Sequence, residues 1–246
     1  MLRQHSKGLA QGTAVIFIAV VLKAFYSTAS VNDLLFLLAP TTWFSGLLSG
    51  ERFTFEDYSG YLNADGSFLI ATPCAGGNFL IAAFTVVALM WIWGRRAPWA
   101  FLPASLVIAY IVTIAANTLR ITAALELHRM DPPMIWINPE EMHRIEGILV
   151  YFGFLLGLFL VAETFREPEK RTGGRLLAWS LLPLGLYWIT TLGVPLLNGA
   201  YAKHANFYDH AFFVLLTPPI LMLPLLIAWI VKRRSIRLAL GSGRRW

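Results

Sequence analysis

Residues 72–96 read TPCAGGNFLIAAFTVVALMWIWGRR, and this stretch decides the fold. Residues 78–93 carry no charged side chain, and two arginines follow at 95–96. An uncharged apolar run of this length, ended by basic residues, is typical of a helix that crosses a bilayer core of roughly 30 Å. The stretch therefore predicts a transmembrane helix.

The rest of the chain has the same character. Of its 246 residues 57% are apolar and only 14% are charged, and the mean hydropathy is +0.61. Soluble domains carry nearer a quarter charged residues. Further apolar runs lie at residues 9–26, 98–120, 145–165, 176–197 and 211–231. We predict an all-α, polytopic transmembrane helix bundle of about six spans, forming a single membrane domain over residues 1–246.

The distribution of charge predicts the orientation. Basic clusters lie near the N-terminus, at 95–96, at 166–175 and after residue 231, and they hold 14 of the 20 basic residues. Six alternating spans place all four clusters on one side, which the positive-inside rule makes cytoplasmic. We therefore expect both termini in the cytoplasm. The first run is too long and too weakly punctuated for a cleavable signal peptide, so we expect it to be retained.

Two segments fall outside this alternation. Residues 34–48 are apolar but contain Pro40, and counting them as a span would reverse every later segment, so we predict a re-entrant or interfacial hairpin on the outer face. Residues 51–71 are polar and rich in turn residues. The NADG sequence at 63–66 predicts a small β-hairpin there.

Three reactive side chains are predicted at one depth. Cys74, Arg120 and His143 each lie 21 to 24 residues along the chain from a basic cluster on the cytoplasmic side. At 1.5 Å per helical residue this separation is roughly 32 to 36 Å. A thiol, a guanidinium and an imidazole from three helices are therefore expected together at the outer surface.

Cys74 is the single cysteine, so it is either a buried small hydrophobic residue or a reactive thiol. Thr72 is a candidate helix cap and Pro73 suits a first helical turn. Backbone N–H groups at a helix start favour a thiolate. Gly76 and Gly77 would let another segment approach the backbone closely.

Arg120 has two interpretations. It follows Asn117 by three residues, which places both side chains on one helical face. A lone arginine at a span end usually extends towards lipid headgroups. Asn117 favours a functional role instead, because an amide at a span end is costly to bury unless it is paired.

His143 lies near a predicted helix start, with Asn138 as cap and Pro139 at the first position. That position favours a neutral imidazole, which can accept a proton from a thiol, whereas Glu146 opposes the effect. A surface histidine at the headgroup boundary is an equally good interpretation. Other histidines are candidates for the same role: His128, His204 and His210.

No metal or cofactor is predicted, because the histidines lack the spacing of zinc ligands and no nucleotide-binding glycine motif occurs. The net charge of +6 could suggest nucleic acid. Because the basic residues are grouped at the ends of spans, we do not predict such a partner.

Residues 73–76 (PCAG), 117–121 (NTLRI) and 143–147 (HRIEG) resemble, in order, the C-x-G, N-x-x-R-[IV] and H-x-x-x-G signatures of the exosortase/archaeosortase family. Gly77 departs from the family pattern, which has an aliphatic residue there. The resemblance covers roughly residues 34–165. It implies an exosortase-like catalytic core over 31–175, followed by a two-helix extension over 176–246.

The resemblance implies a membrane cysteine protease or transpeptidase that cleaves a C-terminal sorting signal from exported proteins, often in exopolysaccharide systems. Cys74 would be the nucleophile, His143 the general base and Arg120 the oxyanion donor, with Asn117 and Gly76 in support. Its partners would be exported proteins with a hydrophobic C-terminal signal, together with membrane lipids. The enzyme would lie in the cytoplasmic membrane with its site on the outer face.

Two other functions remain open. A non-enzymatic or transport component of envelope polysaccharide assembly would carry polar residues in mid-bilayer, for which Lys23 and Thr113 are the clearest candidates. Another enzyme that transfers acyl or lipid groups could also use Cys74.

Overall fold

The computed structural model describes the backbone of residues 2–94, 98–129, 139–164, 173–197, 199–203 and 207–242. Side chains are described over the same ranges except at 2–6, 139–140, 143, 173–180, 200, 203, 225, 229 and 232–242. The predicted cap Asn138 and the candidate His204 lie outside the described residues, as do the basic residues at 95–96.

The described elements are mainly helices. The α-helices are α1 Leu2–Thr28, α2 Leu35–Ser49, α3 Gly77–Gly94, α4 Phe101–Arg129, α5 Pro139–Thr164, α6 Gly173–Trp188, α7 Val194–Leu197 and α8 Phe207–Ser242. The strands are β1 Phe53–Glu56, β2 Gly60–Asn63 and β3 Leu69–Ile70. Short 3-10 turns cover Asn32–Leu34, Thr72–Ala75 and Ala200–Lys203, and a π-helical turn covers Ile189–Gly193.

Among the described residues, five helices are long and apolar enough to span a membrane: Lys7–Thr28, Thr72–Trp93, Phe101–Arg129, Arg144–Thr164 and Phe207–Ala228. The region predicted as the fifth span along the chain is a shorter apolar helix, Leu181–Leu197, made of the end of α6, the π-helical turn and α7. The polytopic α-helical bundle predicted from the sequence is confirmed.

Helix α3 lies at the centre of the bundle and packs against α1, α4, α5 and α6. In its most apolar window 72% of the residues are buried, against 11% for the span on α1. Ala82, Ala83 and Ala88 are almost fully buried. Small side chains let helices approach closely where lipid supplies no hydrophobic driving force between them, so this composition suits a central helix.

Residues 34–48, predicted as a re-entrant or interfacial hairpin, instead form one continuous helix, α2. It lies along α4: the Tyr110 hydroxyl donates to the Phe36 carbonyl oxygen at 2.8 Å near its start, and Arg129 pairs with Glu51 just beyond its end. Pro40 has no N–H to donate to the Phe36 carbonyl oxygen four residues earlier, and the Tyr110 hydroxyl donates to that oxygen instead.

The predicted β-hairpin is confirmed and has one more strand. Strands β2 and β3 pair antiparallel with Tyr61 opposite Ile70, and β1 adds to the other edge of β2. In the connecting turn, the Ser67 N–H and hydroxyl donate to the Asp65 carboxylate and hold the pKa of that group below its usual value. The sheet leads the chain directly into the turn that carries Cys74.

Helices from the second half of the chain close the bundle. Helix α8 packs against α5 and α6, and α6 packs against α5 and α3. The Trp188 indole Nε1 donates to the Val214 carbonyl oxygen at 3.0 Å, which joins the end of α6, just before the π-helical turn, to α8. These contacts place the π-helical turn beside the N-terminal half of α8.

Candidate functional site

Cys74 lies in the 3-10 turn Thr72–Ala75 that precedes α3. Ala71 is extended and precedes this turn, so the predicted cap at Thr72 is wrong: Thr72 is already the first residue of the turn, and Pro73 is the second. The Cys74 N–H donates to the Ala71 carbonyl oxygen at 2.8 Å. The thiol is partly buried.

Gly76 follows with a φ of +73°, a left-handed conformation that ends the turn and lets α3 begin. A Cβ atom at this position would lie 2.7 Å from Asn117 Nδ2. Because Gly76 has no side chain, Asn117 comes close enough for its Nδ2 to donate to the Cys74 carbonyl oxygen at 2.7 Å. The predicted close approach at Gly76 is confirmed, and it fixes the cysteine turn against α4.

Arg120 and Asn117 are joined through a residue that the sequence analysis did not select. Arg120 Nη1 donates to the Tyr151 hydroxyl oxygen at 3.2 Å, and the Tyr151 hydroxyl donates to Asn117 Oδ1. The Tyr151 ring stacks on Phe79 with centroids 5.0 Å apart, which holds the phenol in place. A chain of hydrogen bonds thus runs from the guanidinium through Tyr151 and Asn117 to the backbone of Cys74.

Arg120 is enclosed by groups that restrict its position. A Cβ atom at Gly147 would lie 3.3 Å from Arg120 Nε, so the glycine leaves room for the guanidinium beside α5. Cys74 and Glu146 lie within electrostatic range of the guanidinium. Glu146 is 9% exposed.

A cavity of about 250 Å³ opens beside this group. It is lined by residues of α1, the cysteine turn, α3, α4, α5, α6, the π-helical turn and α8: Tyr26, Pro73, Gly76, Asn78, Phe79, Ala82, Arg120, Arg144, Gly147, Ile148, Tyr151, Tyr187, Thr190, Thr191 and His210. The cavity reaches the turn of Cys74 through Pro73 and Gly76.

The position of Arg120 along α4 indicates how deep in a membrane the cavity would lie. Arg120 lies nineteen residues after Phe101, a rise of about 28 Å along the helix. That distance is close to the thickness of a bilayer hydrocarbon core, roughly 30 Å. A crossing that begins at Phe101 would therefore end near Arg120, and α4 continues to Arg129.

The candidate histidines are placed differently. Helix α5 begins at Pro139, as predicted, and His143 lies one turn before the cavity-lining Gly147; the His143 side chain is outside the described residues. His128 packs edge-on against Phe68 of the sheet region, with ring centroids 6.5 Å apart. His210 lines the cavity. Of the other predicted site residues, the structure brings Cys74, Gly76, Asn117 and Arg120 together.

Two further residues of the site were missed. Tyr151 follows Gly147 by four residues and His143 by eight, so its position on one face of α5 was readable from helical spacing. Tyr26 had no such signal. Its ring occupies the space beside Gly77, where a Cβ atom would meet Tyr26 Cδ2 at 2.3 Å. The aromatic ring from α1 fills the volume that an aliphatic side chain at residue 77 would require.

In the described residues, no three His, Cys, Asp or Glu side chains come close enough together to hold a metal ion. The fold and site define a polytopic membrane protein with a cysteine and an arginine held together at the ends of its spans. A family model described as transmembrane exosortase matches residues 3–161, well over half of the chain, and the chain belongs to that family. No curated protein and no solved structure matches it.

Proposed function

We propose that this membrane exosortase is a cysteine protease or transpeptidase that cleaves a C-terminal sorting signal from exported proteins. The observation that carries the proposal is the hydrogen-bonded chain from Arg120 through Tyr151 and Asn117 to the backbone of Cys74. A structural arginine at a span end would need only a headgroup. Here the guanidinium is linked by hydrogen bonds to the backbone of Cys74, at the edge of a cavity.

The chemistry begins with the Cys74 thiol. His143 takes its proton, and the thiolate sulfur attacks a peptide carbonyl carbon of the substrate. The tetrahedral intermediate collapses when the amine of the signal fragment leaves with the proton from His143. The remaining thioester is attacked by water or by an acceptor amine, which releases the thiol again.

Arg120 supplies the electrostatic part of catalysis. The carbonyl oxygen becomes negative in the tetrahedral intermediate, and a donor fixed in advance stabilises that charge without reorganising. Tyr151 and Asn117 hold the guanidinium, and Gly147 leaves the space it occupies. The backbone of Cys74 accepts a hydrogen bond from the same asparagine, which links the cysteine turn to the residues that hold the donor.

The charge distribution and the depth of Arg120 support a site at the outer face of the cytoplasmic membrane, with both termini in the cytoplasm. A substrate anchored by a hydrophobic C-terminal helix would present its cleavage site at the depth of this cavity. Exported proteins with such a signal are therefore the proposed substrates, with membrane lipids around the spans.

The alternative transport function has less support. Lys23, the clearest polar candidate within a span, donates from Nζ to Asn78 Oδ1 at 2.7 Å, near the start of α3 and not in mid-bilayer. Thr113 is buried and donates to the Ala109 carbonyl oxygen of its own helix at 2.7 Å. Neither residue lines the cavity.

The test is substrate processing in cells that produce this chain together with an exported reporter carrying a hydrophobic C-terminal signal. We expect Cys74→Ala and Cys74→Ser to abolish removal of the signal while protein levels remain normal on immunoblots. In the wild type, hydroxylamine should release a thioester-linked substrate from the enzyme. Normal processing by Cys74→Ala would overturn the proposal.

A further inference from the structure

Asn78 is an accessible polar residue in an otherwise buried part of the chain. Residues 75–84 are buried apart from Asn78, which is exposed. It lies in the first turn of α3, four residues after Cys74, and it lines the same cavity as Arg120. Its side chain is therefore within reach of a molecule that enters the cavity.

Lys23 of α1 sets the orientation of the Asn78 amide. Lys23 Nζ donates to Asn78 Oδ1 at 2.7 Å. An ammonium group has donors and no acceptor, so the amide oxygen must face it and the amide nitrogen points away from it. Lys23 Nζ also lies 5.7 Å from the centroid of the Tyr26 ring, which helps to hold the lysine in place.

The two asparagines near Cys74 differ in how much of the amide is used. Asn117 is bonded at both ends, since its Nδ2 donates to the Cys74 carbonyl oxygen and its Oδ1 accepts from Tyr151. Asn78 is bonded at Oδ1, and within the described ranges of the chain its Nδ2 donates to no oxygen. The two N–H groups of Asn78 are therefore available to an acceptor from outside the chain.

The kind of acceptor follows from what must reach Cys74. The cavity meets the turn of Cys74 at Pro73 and Gly76. A peptide that enters it carries a carbonyl oxygen at every residue, about 3.5 Å apart when extended, and each needs a donor where water is scarce. Because Arg120 is assigned to the carbonyl that is attacked, a neighbouring carbonyl oxygen is the ligand that suits an amide N–H.

We propose that Asn78 Nδ2 binds a backbone carbonyl oxygen of the substrate next to the scissile bond, and that Lys23 holds the amide in the orientation this requires. The inference rests on the proposed peptide cleavage and adds a residue that binds the substrate. Asn78 touches the substrate itself, whereas Lys23 acts through Asn78 and is a positioning residue.

Asn78→Asp separates substrate binding from a structural contact between α1 and α3. Aspartate keeps an oxygen that accepts from Lys23, so a structural role predicts an unchanged or tighter contact. It has no N–H donor, and its carboxylate repels a carbonyl oxygen. Binding is measured by fluorescence anisotropy on the purified full-length chain carrying Cys74→Ala, in an uncharged detergent. The probe is a labelled synthetic peptide that contains the reporter's hydrophobic signal and the segment before it.

We expect Asn78→Asp to raise the Kd of this peptide roughly tenfold or more while the thermal unfolding midpoint does not fall. The matched control is Asn32→Asp, which changes an exposed asparagine of the 3-10 turn after α1, outside the cavity, and should leave the Kd unchanged. If Asn78→Asp unfolds, Lys23→Met combined with Asn78→Leu removes both partners of the contact at similar size and should show the same loss of binding. A parent Kd in the folded variant would overturn the inference.

Two substitutions of Lys23 test the positioning role. Arginine keeps a donor for Asn78 Oδ1, so Lys23→Arg should bind the peptide nearly as well as the parent chain. Methionine frees the amide to rotate, so Lys23→Met should raise the Kd by roughly three- to tenfold. Equal Kd values for Lys23→Met and the parent chain would overturn the positioning role.

A shorter peptide tests where the effect arises. A peptide of the hydrophobic helix alone has its carbonyl oxygens bonded within the helix, so Asn78→Asp should leave its Kd unchanged. An equal loss for both peptides would overturn the inference, as would the absence of saturable binding to the parent chain. With Cys74 present, Asn78→Asp should raise KM more than it lowers kcat, because the bound carbonyl does not react.

The same measurements distinguish this inference from the proposed peptide cleavage. Binding that depends on Asn78, without cleavage by the wild type, would overturn the proposed cleavage alone. Cleavage by the wild type and by Asn78→Asp with equal kcat and KM would overturn this inference alone.

Discussion

Tyr151 connects the two polar residues of α4 that the site depends on. Its hydroxyl accepts from Arg120 and donates to Asn117, while its ring stacks on Phe79. A phenylalanine would preserve the stacking and remove both hydrogen bonds. Tyr151 touches the arginine and the asparagine, so it acts by positioning those two groups.

We therefore predict that Tyr151→Phe lowers the rate of substrate processing by roughly 10- to 100-fold without lowering protein levels, since each hydrogen bond is worth about 1 kcal/mol and one involves a charged group. Pulse-chase analysis of the reporter measures the rate. Tyr110→Phe is the matched control, because its hydroxyl bonds to the Phe36 carbonyl oxygen outside the cavity. A wild-type rate for Tyr151→Phe would exclude the positioning role.

Arg120→Lys separates a catalytic arginine from an interfacial anchor. Lysine keeps the positive charge and can extend to headgroups, so an anchoring role predicts near-normal processing. A compact ammonium cannot reproduce the planar guanidinium that bonds Tyr151 while facing the cavity. We predict normal insertion and a loss of processing of roughly 10²-fold or more. Processing at the wild-type rate would return Arg120 to the role of an anchor.

The positions of His143 and His128 predict different roles for the two histidines. His143 precedes the cavity-lining Gly147 by one helical turn, whereas His128 packs against Phe68 of the sheet region. We predict that His143→Ala abolishes processing at normal protein levels and that His128→Ala has a mild effect. The opposite pattern in the same pulse-chase assay would move the general base to the end of α4.

At the level of whole elements, the packing of α1 on α3 depends on the absence of a side chain at Gly77. The Tyr26 ring lies directly over Gly77, and its hydroxyl donates to the Thr72 carbonyl oxygen at 3.4 Å. Helix α1 is otherwise mostly uncovered by protein. The contact between Tyr26 and Gly77 therefore fixes α1 beside the cavity wall.

We predict that Gly77→Ala destabilises the protein by about 1–3 kcal/mol, because the added Cβ overlaps the Tyr26 ring and the core must shift. Thermal unfolding in detergent measures the loss, and Tyr26→Leu in the same chain should recover part of it. Gly153→Ala is the control, since nothing lies within 4 Å of a Cβ there. If Gly77→Ala and Gly153→Ala unfold alike, the α1–α3 contact does not depend on this glycine.

At the scale of the whole molecule, the orientation in the membrane decides which compartment the cavity serves. Because 14 of the 20 basic residues fall on one side of the predicted spans, we expect a reporter fused after Trp246 or placed at Arg95 to report cytoplasm. A reporter at Asp131 should report the outer side. A cytoplasmic signal at Asp131 would reverse the topology and move the site to the other face.

The sequence by itself determined the membrane class, the helical architecture and four of the residues that meet, because span length, charge asymmetry and helical rise are properties of consecutive residues. It also placed the hairpin before Cys74 through its turn residues. The tertiary structure alone decided that residues 34–48 form one helix along α4, because that helix is held by contacts with Tyr110 and Arg129. It alone brought Tyr26 over Gly77 and His210 into the cavity. These pairings join residues far apart in the chain, and no local periodicity encodes which distant side chain fills the space that a glycine leaves.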